Sequence, residues 1–292
     1  MSPEFNKTPI EPAWCPGCGN FPIREAVLKA INDSGLKKKE LAWVSGIGQA
    51  AKMPHYIETN FFNGLHGRPL PAATGLKLAN PDLHVIVESG EGCHYGEGGN
   101  HFLAALRRNI GLTVLIHDNQ IYGLTKGQAS PTTEPGQVTK STPQGVLNQP
   151  FHPLTVAVCS GAGYVARGFS GDIDHLAGLI LGAIRYPGLA LVDILMPCVS
   201  FNKVGTFAWY KQRVKKLPES YDPSDRALAL ATTEKWGEEI PIGLFYRREP
   251  DENPPLERKV AQKHGGTADP VSLAGRPPAR DLLEEIMRRS VY

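Results

Sequence analysis

Two short apolar runs with a helical stretch between them restrict the fold of this chain more than any other feature. Residues 83–87 and 112–116 are aliphatic runs with the length of buried strands, and residues 96–108, which open on a glycine, have helical spacing. A strand, a helix and a second strand in this order form a βαβ unit, whose two strands run parallel. We therefore predict an α/β fold.

Strands and helices also alternate through the rest of the chain. Apolar spacing predicts helices over residues 22–34, 71–79 and 172–186, and strands over residues 41–45 and 189–195. Beyond Pro197 the weaker pattern predicts helices over residues 209–216 and 224–232 and a strand over residues 240–246. This alternation indicates a mostly parallel sheet with flanking helices, and the long polar segment 119–149 is typical of a functional loop.

The C-terminal part of the chain differs in composition from the rest. From Glu249 onwards it is rich in proline and charge, which predicts an extended arm, residues 249–292, that ends in a short helix over residues 279–289. Residues 1–248 are then one α/β domain, which also carries an N-terminal C-x-x-C segment. An arm with few apolar residues is either disordered or laid over a partner.

Composition excludes several classes of protein. A formal net charge of +2, without a long basic run, gives no support for nucleic-acid binding. The apolar stretches are too short to span a bilayer and residues 1–12 lack an apolar signal core, so we expect a cytoplasmic protein without a membrane contact. Five cysteines in 292 residues are too few for a disulfide scaffold and predict thiols or metal ligands.

Polar residues follow both strands of the βαβ unit. Glu91 lies between Gly90 and Gly92 after the first strand, and Asn119 follows the second. Because parallel strands end at the same edge of a sheet, the carboxylate and the amide can converge on one ligand. Carboxylate, amide and backbone carbonyl oxygens suit Mg²⁺, and the glycines let the backbone approach a diphosphate. The alternative is a glycine-rich turn with an exposed Glu91 and ordinary turn chemistry at Asn119.

Cys15 and Cys18 form a C-x-x-C motif, whose spacing lets two thiolates bind one metal or cluster. A thioredoxin-like redox pair is an alternative, but prolines at 3, 9 and 12 argue against a preceding strand. A zinc knuckle would need two further ligands, and unligated thiols are the fourth possibility.

Six ordered blocks extend these two motifs. They are Trp-Cys-Pro-Gly-Cys-Gly at 14–19, Ser-Gly-Ile-Gly at 45–48, Pro-His-Tyr at 54–56, Leu-His-Gly-Arg-Pro-Leu-Pro at 65–71, Gly-Asn-His-Phe at 99–102 and Ile-Tyr-Gly-Leu-Thr-Lys-Gly-Gln at 121–128. Over about residues 12–210 the chain resembles the β subunit of 2-oxoacid:ferredoxin oxidoreductases. The resemblance implies a thiamine-diphosphate-binding fold, namely a pyrophosphate-type domain.

The resemblance also implies the residues that hold this cofactor. Glu91, the side-chain oxygen of Asn119 and the carbonyl of Ile121 would ligate Mg²⁺. Residues at the other cofactor-contacting positions are Gly48, Gly90, Gly92, Cys93, Gly123 and Leu124. This segment departs from the family pattern, because Glu91 replaces an aspartate and Asp118 replaces an asparagine. Cys93 and His94 also depart from it, since the family usually continues with a second aspartate. The longer side chain of Glu91 moves the carboxylate, and Mg²⁺ tolerates poor geometry badly.

An iron–sulfur cluster is the interpretation that the resemblance favours for the cysteines. Cys15, Cys18 and Cys198 match family ligand positions of a [4Fe–4S] cluster. The family's fourth ligand is a cysteine after Gly-Ile-Gly, and Gln49 stands there in this chain. The fourth cluster ligand is therefore Gln49, a water or a remote thiol, or else the cluster is three-iron or absent.

Four basic residues match catalytic positions. His66 and Arg68 resemble a crevice-lining segment that contacts cofactor and substrate, and Lys52 and Lys126 lie at positions near the bound 2-oxoacid in the family. Without the resemblance, a surface loop would explain His66 and Arg68 equally well, and Lys52 and Lys126 would be expected to be exposed.

The reaction that the resemblance implies is the coenzyme A-dependent oxidative decarboxylation of a 2-oxoacid, or the reverse carboxylation. An α subunit with the glutamate that activates the cofactor would be an obligate partner, and ferredoxin would accept the electrons. Glu91 and Gln49 motivate a rival hypothesis, a non-catalytic scaffold paralogue in the same kind of complex. A thiamine decarboxylase without electron transfer is the third hypothesis.

Overall fold

The fold is described by a computed structural model that covers residues 5–6 and 10–263. Within these residues the strands are β1 (Leu41–Ser45), β2 (Asn60–Asn63), β3 (His84–Gly90), β4 (Leu112–Asp118), β5 (Ile121–Tyr122), β6 (Gln128–Ala129), β7 (Tyr164–Phe169), β8 (Ala190–Leu195), β9 (Val214–Lys216) and β10 (Ile240–Arg247). The α-helices are α1 (Asn20–Ser34), α2 (Pro69–Ala79), α3 (Gly99–Arg108), α4 (Pro153–Ser160), α5 (Ile173–Arg185), α6 (Phe207–Arg213), α7 (Arg226–Thr233) and α8 (Leu256–Lys263).

Eight of the described strands form one sheet in the order β2-β1-β3-β4-β8-β7-β10-β9. All neighbours are parallel except β10 and β7, which pair antiparallel. Strands β5 and β6 form a separate two-stranded hairpin after the end of β4. The prediction of a mostly parallel sheet with flanking helices is confirmed.

Helices cover both faces of this sheet. Helices α1 and α5 pack together on one face, over a core that includes Ile23, Trp43 and Ile180. Helices α2, α3, α4 and α7 contribute to the core on the other face. The central strand β4 is buried at every residue, which is what a parallel strand with two covered faces requires. Because β3 and β4 are parallel, both strands end at the same edge of the sheet. The candidate site lies at this edge.

The structure confirms most of the predicted elements and corrects three of them. The predicted helix over residues 209–216 ends at Arg213, because Val214–Lys216 pairs with β10 as an edge strand. The predicted helix over residues 96–108 is interrupted, since Gly92–Glu97 forms a π-helical turn before α3 begins. The predicted extended arm is wrong over α8, and the predicted helix over residues 279–289 lies outside the described residues.

Helix α8 is attached to the amino-terminal edge of the sheet, opposite the candidate site. The carboxylate of Glu257 accepts hydrogen bonds from the backbone nitrogen of Gly111 at 3.2 Å, and Glu257 is buried. In the described part of the chain, none of the helices is long and apolar enough to cross a membrane.

Candidate functional site

A cavity of about 290 Å³ opens beside the carboxyl ends of β3, β4 and β8. Its size is close to the lower end of the range of small-molecule sites, which is about 300 Å³. Fourteen residues expected at the site from sequence line this cavity: Cys15, Cys18, Gly48, His66, Gly90, Glu91, Gly92, Cys93, Asn119, Ile121, Gly123, Leu124, Lys126 and Cys198. Lys52 and Arg68 are not part of the lining.

The side chains of Glu91 and Asn119 meet at one backbone group. Oε1 of Glu91 and Oδ1 of Asn119 each accept a hydrogen bond from the backbone nitrogen of Ile121, at 3.1 Å in both cases. The carboxylate of Glu91 and the side-chain oxygen of Asn119 are thus held beside Ile121, whose backbone carbonyl is the third predicted ligand. These oxygen donors suit a hard cation such as Mg²⁺, so the three residues could hold one.

The environment of Glu91 favours a cation. Glu91 is only 2% exposed, and burial, with a further contribution from the negative charge of Asp193, raises the pKa of Glu91 from 4.5 to about 7. A buried carboxylate is costly unless an opposite charge compensates it. A divalent cation beside Glu91 would supply that charge, and the donor set therefore fits the ion that the resemblance implies.

The turn that carries Asn119 has a strained backbone. Gln120 has a φ of 58°, in the left-handed region that non-glycine residues rarely adopt. Oδ1 of Asp118 accepts hydrogen bonds from the backbone nitrogen of Gln120 at 3.1 Å and from Oγ1 of Thr132 at 2.7 Å. Oγ1 of Thr133 donates to the carbonyl of Gln120 at 2.7 Å. The loop after β6 thus holds the turn in one conformation.

Gly92 allows close packing between the turn after Glu91 and Tyr122. A Cβ atom at this position would lie 2.2 Å from the ring of Tyr122, which is closer than non-bonded atoms approach. The absence of a side chain lets the π-helical turn pack on Tyr122 and brings backbone to the cavity wall. Cys93 follows, and its buried sulfur accepts a hydrogen bond from the backbone nitrogen of Gly67 at 3.2 Å.

Three cysteines from distant parts of the chain lie at the same end of the cavity. Ser200, two residues after Cys198, donates a hydrogen bond through its hydroxyl to Sγ of Cys15 at 3.1 Å. Burial, with smaller contributions from the charges of Cys198 and Cys15, raises the pKa of Cys18 to about 11, so Cys18 is an electrostatic neighbour of both other cysteines. A group of thiols of this kind could hold an iron–sulfur cluster.

Gln49 lies on the same wall as these cysteines. Its Oε1 atom is buried and has no hydrogen-bond partner among the residues that the structure describes, while its carbonyl accepts from Nε1 of Trp14 at 2.9 Å. An unpartnered amide oxygen is a potential weak ligand. Among the described residues, no group of three or more His, Cys, Asp or Glu side chains is arranged to hold a single metal ion. A cluster binds each thiolate through a different iron and does not need such close convergence.

The four predicted catalytic residues differ in position. Lys126, exposed and with a φ of 78°, and His66 both line the cavity. Nδ1 of His66 lies 3.1 Å from Oε2 of Glu97, without the alignment of a hydrogen bond. Lys52 is half-buried in the 3₁₀ helix Ala50–His55, and Arg68 is exposed before α2.

A buried polar network beside the site was missed in the sequence. Nε2 of His117 lies 2.7 Å from Oε1 of Glu88, and Nδ1 lies 2.8 Å from Oδ1 of Asn20. Oε2 of Glu88 accepts from Nε1 of Trp43 at 2.8 Å, and all four residues are at most 1% exposed. The sequence signal for this network is the presence of Glu88 and His117 within two otherwise apolar strands. The network ties the helix after the C-x-x-C motif to both strand ends.

Two known protein families match parts of this chain. Residues 41–194 match the family described as thiamine pyrophosphate enzyme, C-terminal TPP binding domain. Residues 198–264 match a second family, which is described as the C-terminal region of the beta subunit of pyruvate ferredoxin oxidoreductase.

The chain is similar to named proteins along nearly its whole length. It is 43% identical over 284 residues to the 2-oxoacid:ferredoxin oxidoreductase subunit beta of Saccharolobus solfataricus, covering 93% of this chain and 90% of that protein. It is 45% identical over 192 residues to the 2-oxoglutarate oxidoreductase subunit KorB of Mycobacterium tuberculosis, covering 66% of this chain and 52% of that protein.

A solved structure has the same fold. It is the 2-oxoglutarate:ferredoxin oxidoreductase from Magnetococcus marinus with 2-oxoglutarate, coenzyme A and succinyl-CoA bound. The TM-score is 0.87 at 34% sequence identity, with coverage of 100% of this chain and 97% of that chain.

Proposed function

This chain belongs to the β subunits of 2-oxoacid:ferredoxin oxidoreductases, an enzyme family, and we propose that it binds thiamine diphosphate through Mg²⁺ at the carboxyl edge of its sheet. The observation that carries the proposal is the convergence of Glu91 and Asn119 on the backbone of Ile121 inside the lined cavity. Glu91, Asn119 and the carbonyl of Ile121 ligate Mg²⁺ in this proposal.

Other residues of the cavity contact the cofactor. Glycines let the backbone approach the diphosphate, and side chains at the mouth contact the rings. The proposed contacts are Gly48, Gly90, Gly92, Cys93, Gly123 and Leu124, all of which line the cavity. When bound, thiamine diphosphate supplies the electron sink that decarboxylation of a 2-oxoacid requires.

Basic residues of the chain orient the substrate. Lys126 on the cavity wall offers three N–H donors and a positive charge to the substrate carboxylate. His66, 3.1 Å from the Glu97 carboxylate, is placed to hold or donate a proton at the cavity mouth. Lys52 and Arg68 do not line the cavity. We propose that they reach the substrate only when the α subunit is bound.

An iron–sulfur cluster would supply the one-electron chemistry in this proposal. Cys15, Cys18 and Cys198 would hold the cluster, with Gln49 as a weak fourth ligand or as the neighbour of an exchangeable iron. The support is that all three cysteines line one cavity, and that Oε1 of Gln49 is buried there with no hydrogen-bond partner in the described part of the chain. Ferredoxin is the proposed acceptor and coenzyme A the acyl acceptor, as in the names of the relatives and of the similar structure.

The complex is expected to contain an α subunit that carries the cofactor-activating glutamate. We propose that residues 1–248 form the cofactor-binding domain and that residues 249–292 form an arm that contacts this partner. The support is the proline- and charge-rich composition of this segment. Its helix α8 contacts the chain's own sheet through Glu257, at the edge opposite the site. The proposed location is the cytoplasm, which the sparse cysteines of the chain support.

The activity of the assembled complex tests the proposal. The chain is co-produced with its α subunit without oxygen, and ferredoxin reduction is followed with candidate 2-oxoacids. We expect reduction that requires both the 2-oxoacid and coenzyme A. Decarboxylation without ferredoxin reduction would favour the thiamine decarboxylase. A complex without either activity and without bound cofactor would favour the scaffold paralogue.

A further inference from the structure

Arg167 is a buried cation behind the candidate cofactor site. It lies on β7, is 5% exposed, and its Nε and Nη1 atoms have no hydrogen-bond partner among the described residues. The guanidinium carbon lies 5.3 Å from the ring of Trp236 and 5.5 Å from the ring of Phe245. Aromatic faces attract a cation, but they do not balance the charge of a buried guanidinium.

Two buried carboxyl groups supply that balance. Asp193 on β8 is the direct neighbour of Arg167 across the strand pair, and it is 1% exposed. Asp118, at the end of β4, is the second acid whose charge raises the pKa of Arg167 against the lowering effect of burial. Arg167 and Asp118 also line a cavity of about 30 Å³, which has room for one bridging water molecule.

Each of these acids holds a different half of the candidate site. Oδ2 of Asp193 accepts a hydrogen bond from the hydroxyl of Tyr95 at 2.6 Å, and Tyr95 lies in the π-helical turn directly after Glu91. Oδ1 of Asp118 accepts from the backbone nitrogen of Gln120 at 3.1 Å, inside the turn that carries Asn119. Arg167 is therefore the strand neighbour of one support, Asp193, and shares a small cavity with the other, Asp118.

We propose that Arg167 is a positioning residue that keeps the two halves of the Mg²⁺–diphosphate site in register through Asp193 and Asp118. The inference rests on the proposed function. Without the cation, negative charge on the two buried carboxyl groups would be uncompensated, which would destabilise the arrangement that holds the turn at 118–121 beside the turn after Glu91. Ile121 would then no longer donate to both Glu91 and Asn119.

The test measures the affinity of the α–β complex for thiamine diphosphate, with and without Mg²⁺. Arg167→Met should weaken Mg²⁺-dependent binding about 10- to 100-fold, the range found when a group that supports metal ligands is lost. Arg167→Met combined with Asp118→Asn should recover most of the affinity. The amide still accepts from Gln120, and one of the unbalanced charges is gone. Arg185→Met, at the exposed end of α5, is the matched control and should bind like the unmodified complex.

Hydrogen exchange of the folded variants adds a readout apart from binding. Faster exchange in residues 91–97 and 118–121 of Arg167→Met, reversed in the double variant, supports the proposal. Unchanged affinity in Arg167→Met overturns it while leaving the proposed function intact. An unmodified complex that does not bind the cofactor overturns both. If Arg167→Met does not fold, the double variant decides: folded and tightly binding supports the proposal, folded and weakly binding overturns it.

Discussion

The side-chain oxygens of Glu91 and Asn119 lie at the same distance, 3.1 Å, from the backbone nitrogen of Ile121. Two loops that follow different strands are thereby joined through one N–H group. In the proposed site, Glu91 and Asn119 would be held together before Mg²⁺ binds, and this would lower the conformational cost of binding the ion.

Replacing Glu91 tests this arrangement directly. Glu91→Gln should weaken Mg²⁺-dependent binding of thiamine diphosphate by about 100-fold or more, because a neutral amide is a poor ligand for a hard cation. Glu91→Asp keeps the charge and should bind much better than Glu91→Gln. Isothermal titration of the assembled complexes measures both, and circular dichroism checks the fold. Equal affinity in the glutamine variant would show that Glu91 is not a ligand.

Lys126 should affect substrate affinity more than Lys52, because only Lys126 lines the cavity. Lys126→Met should raise KM for the 2-oxoacid about 10- to 100-fold, since a hydrogen bond to a charged group is worth about 1.5–3 kcal/mol. Lys52→Met should raise KM less, and the melting temperature should change little in both variants. Unchanged steady-state kinetics in Lys126→Met would mean that it is a solvated lysine.

Gln49 should control the stability of the proposed cluster. With three thiolate ligands, one iron is exchangeable, and mild oxidation should interconvert four-iron and three-iron forms. Gln49→Cys should suppress this conversion, because a thiolate binds iron far better than an amide does. Electron paramagnetic resonance of anaerobic samples reports both forms. The assignment fails if iron is absent or if Cys198→Ser leaves the signal unchanged.

His94 should make the stability of the cofactor-free chain depend on pH. Burial lowers the pKa of His94 from 6.5 to about 4, so the unfolded chain binds this proton between those pH values and the folded chain does not. Stability is therefore complete above pH 6.5 and is lost as the pH falls towards 4, by about 3 kcal/mol for this group. His94→Gln should remove this difference in urea titrations at pH 7 and pH 4.5. A variant with the same pH dependence as the parent chain would contradict the prediction.

Local patterns were sufficient to predict the βαβ unit and the residues at its strand ends. Strands β3 and β4 each contain a short apolar run, and parallel pairing then places Glu91 and Asn119, which follow these strands, at one edge of the sheet. The family resemblance extended this to Cys198, which lies far from Cys15 in the chain. In both cases the relevant signal is a short motif directly after a strand.

Features that depend on distant partners could not be predicted in this way. Strand β7 contains a buried arginine, and its neighbour Asp193 belongs to another strand, so nothing near Arg167 in sequence indicates its role. The apolar spacing of α6 continues into residues 214–216, so the sequence predicts helix there. These residues form strand β9 because they pair with β10. Lys52 and Arg68 match family positions, but the direction of a side chain depends on tertiary packing that a motif does not contain.

Chemical analysis of the anaerobically purified α–β complex tests the central claim most directly. The measurement is the amount of thiamine diphosphate and magnesium per chain, in the unmodified complex and in Glu91→Gln, after gel filtration in buffer that contains Mg²⁺. The account predicts one thiamine diphosphate and one magnesium per unmodified chain and neither in the variant. An unmodified complex without thiamine diphosphate, or equal cofactor content in both complexes, would contradict it.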